Sequence, residues 1–233
     1  MLETLKEQVC QANLDLVSAG LVTLTWGNVS GLSDDRRHVV IKPSGVAYDA
    51  MRPEHMVVVD LKSGERVEGD LKPSSDTATH LLLYRAWPGV GGITHTHSPK
   101  ATAFAQARRE LPCYGTTHAD HFSGTVPVAR ALTQEEIETA YEANTGHVIL
   151  ERFEGLDPIA IPAVLVASHA PFAWGKSAAE SVKNAIALEA CAAMAIDSLT
   201  LSPSLGPVED YLLQKHYNRK HGPGAYYGQG KPH

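Results

Sequence analysis

The chain switches between two hydrophobic periods. Over residues 2–19 the apolar positions Leu2, Leu5, Val9, Ala12 and Leu16 recur at helical spacing, and Gly20 is a natural stop. "LVTLTWGNVSG" then alternates and breaks at glycines, which predicts a strand with an open loop. "RHVVIK", "MVVVDL" and "RVEG" predict three more short strands, the last two joined by the turn "KSGE". "SSDTATHLLLYRAW" predicts a helix capped near Ser74 or Ser75 and ended before Pro88. "VGGITHTH" predicts a strand, and "PKATAFAQA" a helix opened by Pro99.

The second half continues in the same way. In "LTQEEIETAYEANTG" Thr133 and Glu136 have capping-box spacing, with Gly146 as the stop. "IPAVLVASHAPF" predicts one buried strand running into polar residues. "SAAESVKNAIALEACAAMAIDSL" predicts the longest helix, with Ser177 and Glu180 as its capping box. "VEDYLLQKHYNRKHG" predicts a last helix before an irregular tail. Strands and helices mix irregularly, so a largely antiparallel central sheet flanked by helices fits better than a regular βαβ array.

Composition narrows the class. With 233 residues, 43% of them hydrophobic, the chain can bury one large core, and no Pro/Gly/Ser-rich linker divides it. A single domain over 1–233 is expected. The net charge of −6 and pI near 6.0 argue against nucleic acid or an anionic membrane as partner. Cys10, Cys113 and Cys191 are far apart and form no CxxC, so neither a disulfide framework nor a thiolate zinc site is suggested. "MLETLKEQV" is amphipathic with acidic residues, unlike a signal or transit peptide. No apolar run is expected to reach membrane-spanning length, because "AIALEACAAMAI" contains Glu189. A soluble, cytoplasmic protein is the expectation.

Several stretches carry candidate chemistry. In a strand, residues two apart share a face, so His95 and His97 of "HTH" would present imidazoles side by side, a chelating spacing for a divalent ion. Two histidines at a strand end are also common surface residues, and the spacing alone leaves both readings open. His169 in "LVASHAPFAWG" ends an apolar strand and could be a third ligand or a structural residue. Asp76 in "KPSSDT" could be an oxygen ligand, a partner to an imidazole, or an ordinary first-turn carboxylate. "TWGNVSG" (Gly27, Asn28), "KPSGV" (Lys42, Ser44, Gly45) and "KPSSD" (Ser74, Ser75) place small hydroxyls or backbone N–H groups beside a glycine or helix start. Together they suit a phosphorylated small molecule. "TTHADHFSGT" carries Asp120 without clear periodicity, and Tyr226 and Tyr227 lie in the tail.

"LTWGNVSG", "IKPSGV", "KPSSDT", "HTHS", "GTTHAD", "HAPFAWG", "KHY…RKHG" and "AYYGQ" resemble, in order and spacing over essentially the whole chain, the class II aldolase/adducin family on its sugar-phosphate epimerase branch. The resemblance implies a three-layer α/β/α fold on a mainly antiparallel sheet. It implies a homotetramer with active sites between neighbouring subunits. It implies His95, His97 and His169 as ligands of Zn2+, or of Mn2+ or another divalent ion, with Asp76 as a metal-site carboxylate. Gly27, Asn28, Ser44, Gly45, Ser74 and Ser75 become substrate contacts, with phosphate held mainly by the serines. Asp120 and Tyr227 become acid/base groups, the tyrosine from an adjacent subunit.

The implied reaction interconverts L-ribulose 5-phosphate and D-xylulose 5-phosphate by cleaving and re-forming the C3–C4 bond. C4 bears no acidic C–H, so direct proton removal there is implausible. Two departures stand out. The family usually has "HGPF" where this chain has Ala170, and often an aromatic after "HAD" where this chain has His121. The alternatives are an aldolase on a related sugar phosphate such as L-fuculose 1-phosphate, which resembles this region but carries glutamate in place of Asp76, and a non-catalytic adducin-like interaction domain.

Overall fold

The computed structural model describes residues 2–226. One eight-stranded sheet runs in the order β4-β3-β2-β1-β5-β8-β7-β6. The strands are β1 (Asn28–Leu32), β2 (His38–Ile41), β3 (Val57–Asp60), β4 (Arg66–Glu68), β5 (Gly92–His95), β6 (Val128–Ala129), β7 (Ala163–Val166) and β8 (Pro171–Gly175). Every pairing is antiparallel except β6 with β7. The helices are α1 (Leu2–Ser18), α2 (Thr77–Ala86), α3 (Pro99–Gln106), α4 (Thr116–Ala119), α5 (Gln134–Arg152), α6 (Ala178–Leu201) and α7 (Asp210–His221).

Alternation along the strands divides the core in two. Val40 and Val58 face one side, with Val9 and Leu16 of α1, Phe104 of α3 and Leu188 of α6. Val39, Ile41, Val57 and Val59 face the other, with Leu81, Leu83 and Tyr84 of α2 and Ile149 of α5. This is the three-layer α/β/α arrangement with a mainly antiparallel sheet. Period-2 strands can serve both layers at once because successive side chains point to opposite faces.

Five sequence expectations change. In "LVTLTWGNVSG" the strand begins only at Asn28, and residues 21–27 form the loop. β5 ends at His95, so His97 lies beyond the strand. The single strand expected over "IPAVLVASHAPF" is a hairpin: β7 turns through Ser168, whose φ is 63°, into β8. Gly146 does not stop α5 but is buried within it. A Cβ there would lie 2.8 Å from Leu82 Cδ1, so this glycine lets α2 and α5 approach. At α6 the box is half-formed: Ser177 accepts from the Glu180 amide, but Glu180 accepts from the Lys176 amide instead.

α6 also corrects the membrane expectation, being long and apolar enough to span a bilayer by length and composition. Its Val182, Leu188 and Ala192 pack into the core, and Glu189 accepts from the Lys100 and Ala101 amides at the start of α3, at 2.8 and 2.9 Å. A carboxylate is favoured there by the unpaired N–H groups of a helix start.

Candidate metal centre and anion cleft

A cleft of about 550 Å³ opens at one end of the sheet. His95 enters it from the last position of β5 and His97 from the loop after it. His169 enters from the β7–β8 turn, closed by a hydrogen bond from its amide to the Val166 carbonyl at 3.0 Å. Candidate ligand atoms of the three rings lie within 4.8 Å of one another. The left-handed residue in that turn is Ser168, and Ala170 has no positive φ, so the backbone there accommodates alanine.

The donor set fits a divalent ion. His95 Nδ1 lies 3.0 Å from the Pro171 carbonyl, which can only accept, so Nδ1 carries the hydrogen and Nε2 presents a lone pair. Nε2 of His95 and Nε2 of His97 stand 3.2 Å apart. A tetrahedral ion with metal–nitrogen bonds of about 2.0–2.1 Å needs ligand atoms about 3.3 Å apart. Burial first, then the neighbouring imidazoles, lowers the pKa of His97 and takes that of His169 down to about 4. Both rings are therefore neutral, the ligating form, at neutral pH. Phe172 stacks on His95 with ring centroids 4.2 Å apart and forms an apolar floor.

Asp76 stands at the N-cap of α2 yet makes no side-chain capping bond. Its Oδ2 instead accepts from Asn28 Nδ2 at 2.7 Å, which aims it into the cleft. Burial pushes its carboxyl up, but the His95 and His80 rings and the Asn28 bond outweigh this and hold it below the ordinary value. Asn28 faces His95 across the β1–β5 pairing. Gly27, at φ 75°, has no room for a side chain, because a Cβ would lie 2.9 Å from the His95 carbonyl oxygen.

The two "KPS" stretches meet. Pro43 and Pro73 form an antiparallel bridge, the Ser44 amide donates to the Lys72 carbonyl, and the Ser74 amide donates to the Lys42 carbonyl. Ser44, Gly45, Ser74 and Ser75 thereby line one wall. Lys42 is buried beside them and donates to the Thr25 and Pro43 carbonyls at 3.2 and 3.4 Å. Burial lowers its pKa.

Trp26, Tyr141 and Glu142 also line the cleft and were not singled out from sequence. Tyr141 sits 6.0 Å from the His169 ring, centroid to centroid. Both α5 residues are delivered by a break at Ala140 (φ −158°, ψ 69°), which no Gly or Pro announces.

The structure does not bring Asp120 to this cleft within one chain. Asp120 caps the end of α4 and is held by α7, through Arg219 Nε (3.0 Å), Arg219 Nη2 (2.7 Å) and His216 Nδ1 (3.1 Å). Tyr227 lies outside the described residues.

Residues 7–196 match the family described as Class II Aldolase and Adducin N-terminal domain, and the chain belongs to that family. It is 54% identical, over 98% of its length and 100% of the relative's, to "L-ribulose-5-phosphate 4-epimerase UlaF" of Salmonella paratyphi C (strain RKS4594). Among solved structures, an L-fuculose 1-phosphate aldolase superposes with a TM-score of 0.77 at 24% identity, covering 93% of this chain and 95% of that one. YgbL of Klebsiella pneumoniae, titled a putative aldolase/epimerase/decarboxylase, superposes at 0.74 with 25% identity, covering 92% and 98%.

Proposed function

We propose that the chain interconverts L-ribulose 5-phosphate and D-xylulose 5-phosphate by retro-aldol cleavage and re-addition at C3–C4. The observation that carries this is the convergence of His95, His97 and His169 beside a serine-lined wall in one cleft, in a chain 54% identical to a protein named for that epimerisation. The three imidazoles would hold a divalent cation, Zn2+ in our reading, with Asp76 as the adjoining carboxylate. When bound, the cation supplies Lewis-acid stabilisation of charge developing beside the ketone.

The chain's own groups do the rest. Ser44, Ser74 and Ser75, with Lys42 as the nearby cation and the backbone at Gly27 and Gly45, grip the phosphate. That grip keeps the two-carbon fragment in place while its aldehyde turns to present the other face. Asn28 fixes Asp76 and borders the substrate space. Inversion needs proton exchange at the C4 oxygen from two sides, which suits two separate groups, Asp120 and Tyr227.

Asp120 is outside the cleft of its own chain, so we assign it, with Tyr227, to the cleft of a neighbouring copy in a homotetramer of this single-domain chain. The cytoplasm is the proposed location. Incubation with L-ribulose 5-phosphate and Zn2+ tests the reading: D-xylulose 5-phosphate should accumulate without free dihydroxyacetone. Release of dihydroxyacetone alone would identify an aldolase instead, and no turnover with any divalent ion would refute catalysis.

A further inference from the structure

Asp76, His80 and Tyr84 stand at i, i+4 and i+8 and form one stripe along α2. Asn28 and Ser30 stand at i and i+2 of β1 and share one sheet face. The two rows are joined rung by rung. Asn28 Nδ2 donates to Asp76 Oδ2 at 2.7 Å, and Ser30 Oγ lies 2.7 Å from His80 Nδ1 and 2.8 Å from Tyr84 Oη. Ser30, His80 and Tyr84 are fully buried, whereas Asp76 opens into the cleft.

The inner rungs are a poor solution to packing alone. His80 Nε2 is buried without a hydrogen-bond partner among the described residues. Leaving such a group unpaired opposes folding, and the adjacent Leu81 and Leu83 show that this layer accepts leucine. The ladder also leans on both candidate ligand segments. Its α2 side starts at Asp76, and its β1 side pairs with β5, Asn28 opposite His95 and Ser30 opposite Ile93.

We propose that Ser30, His80 and Tyr84 are positioning residues for the metal centre, locking the first turn of α2 against β1 so that Asp76 and His95 are held at a fixed separation. Hydrogen-bonded groups behind a metal site orient what touches the ion, and losing one typically costs about 10–100-fold in affinity. The inference rests on the metal reading above, so its test uses Zn2+ binding rather than turnover.

Zn2+ affinity is measured by competition with a chromophoric chelator in the wild type, Tyr84→Phe, His80→Leu and Ser181→Ala. Ser181 is an equally buried hydroxyl on the opposite layer, 2.7 Å from Thr94 Oγ1, and serves as the control. The melting temperature of each metal-free protein is recorded alongside. Tyr84→Phe and His80→Leu should weaken Zn2+ binding about 10–100-fold, His80→Leu without loss of thermal stability, while Ser181→Ala lowers the melting temperature and leaves affinity alone. Wild-type affinity in both ladder variants overturns the proposal, and Tyr84→Phe, which removes one oxygen, decides it if His80→Leu fails to fold. A wild type that binds no divalent ion removes the metal reading itself, and this inference with it.

Discussion

Arg219 grips Asp120 with two parallel hydrogen bonds, Nε to Oδ1 at 3.0 Å and Nη2 to Oδ2 at 2.7 Å, tying α7 to the end of α4. Burial of the carboxyl opposes ionisation, but Arg219, His216 and Lys220 outweigh it and keep the pKa below the ordinary carboxylate value. Asp120 is therefore a carboxylate at neutral pH, already engaged by α7. Asp120→Asn should lower epimerisation by roughly 10²-fold or more, a typical size for one acid/base group, with metal content unchanged. Tyr227→Phe should do the same. Unaltered turnover in either variant would remove that residue from the chemistry.

The 3.2 Å approach of Nε2 of His95 and Nε2 of His97 gives a second expectation. His97→Asn removes an imidazole from the triad and should lower both bound metal, by elemental analysis, and turnover. Full activity in protein stripped of metal would end the case for the cation.

Gly91 just before β5 and Gly92 at its first position are glycines for a reason that packing supplies. A Cβ on Gly92 would lie 2.2 Å from the Ser177 carbonyl carbon, and one on Gly91 would lie 2.3 Å from the Lys176 carbonyl oxygen. Here the start of α6 passes directly over β5, and backbone cannot swing aside as a side chain can. Gly92→Ala should cost about 3 kcal/mol, roughly 10 °C in melting temperature for a chain of this size. A thermal midpoint within a degree of wild type would contradict the contact.

Acid should destabilise the metal-free protein. Burial, the largest cause, lowers the pKa of His80 to about 3 and of His118 to about 4, from 6.5 in an open chain. Below pH 6.5 the unfolded chain therefore binds more protons than the fold, and stability drops as pH falls toward 4. Each such histidine contributes a slope of about 1.4 kcal/mol per pH unit. Thermal melts from pH 7 to pH 5 should show a steady decline, and a flat profile over that interval would contradict the burial of these rings.

Much of the architecture was legible in local pattern. The period of α1, the Thr133–Glu136 capping box, the turn between β3 and β4 and the proline opening α3 all form as their residues dictate. These features act over three to five residues and need no distant partner. Gly146 misled because glycine serves equally at a helix end and at a close helix crossing, and only the neighbouring α2 shows which. The break at Ala140, which turns Tyr141 and Glu142 into the cleft, has no local signature at all.

The same division holds at the site. The sequence by itself supplied the candidate ligand types, the paired "KPS" loops and the family likeness, since these are properties of short ordered strings. Only the tertiary structure decided that His97 reaches its neighbours from beyond the strand, that His169 arrives on a hairpin turn, and that Asp120 faces α7 rather than the cleft. Convergence of groups far apart in the chain, as with His95 and His169 or Asn28 and His169, is set by how layers pack and strands register, and no local string encodes it.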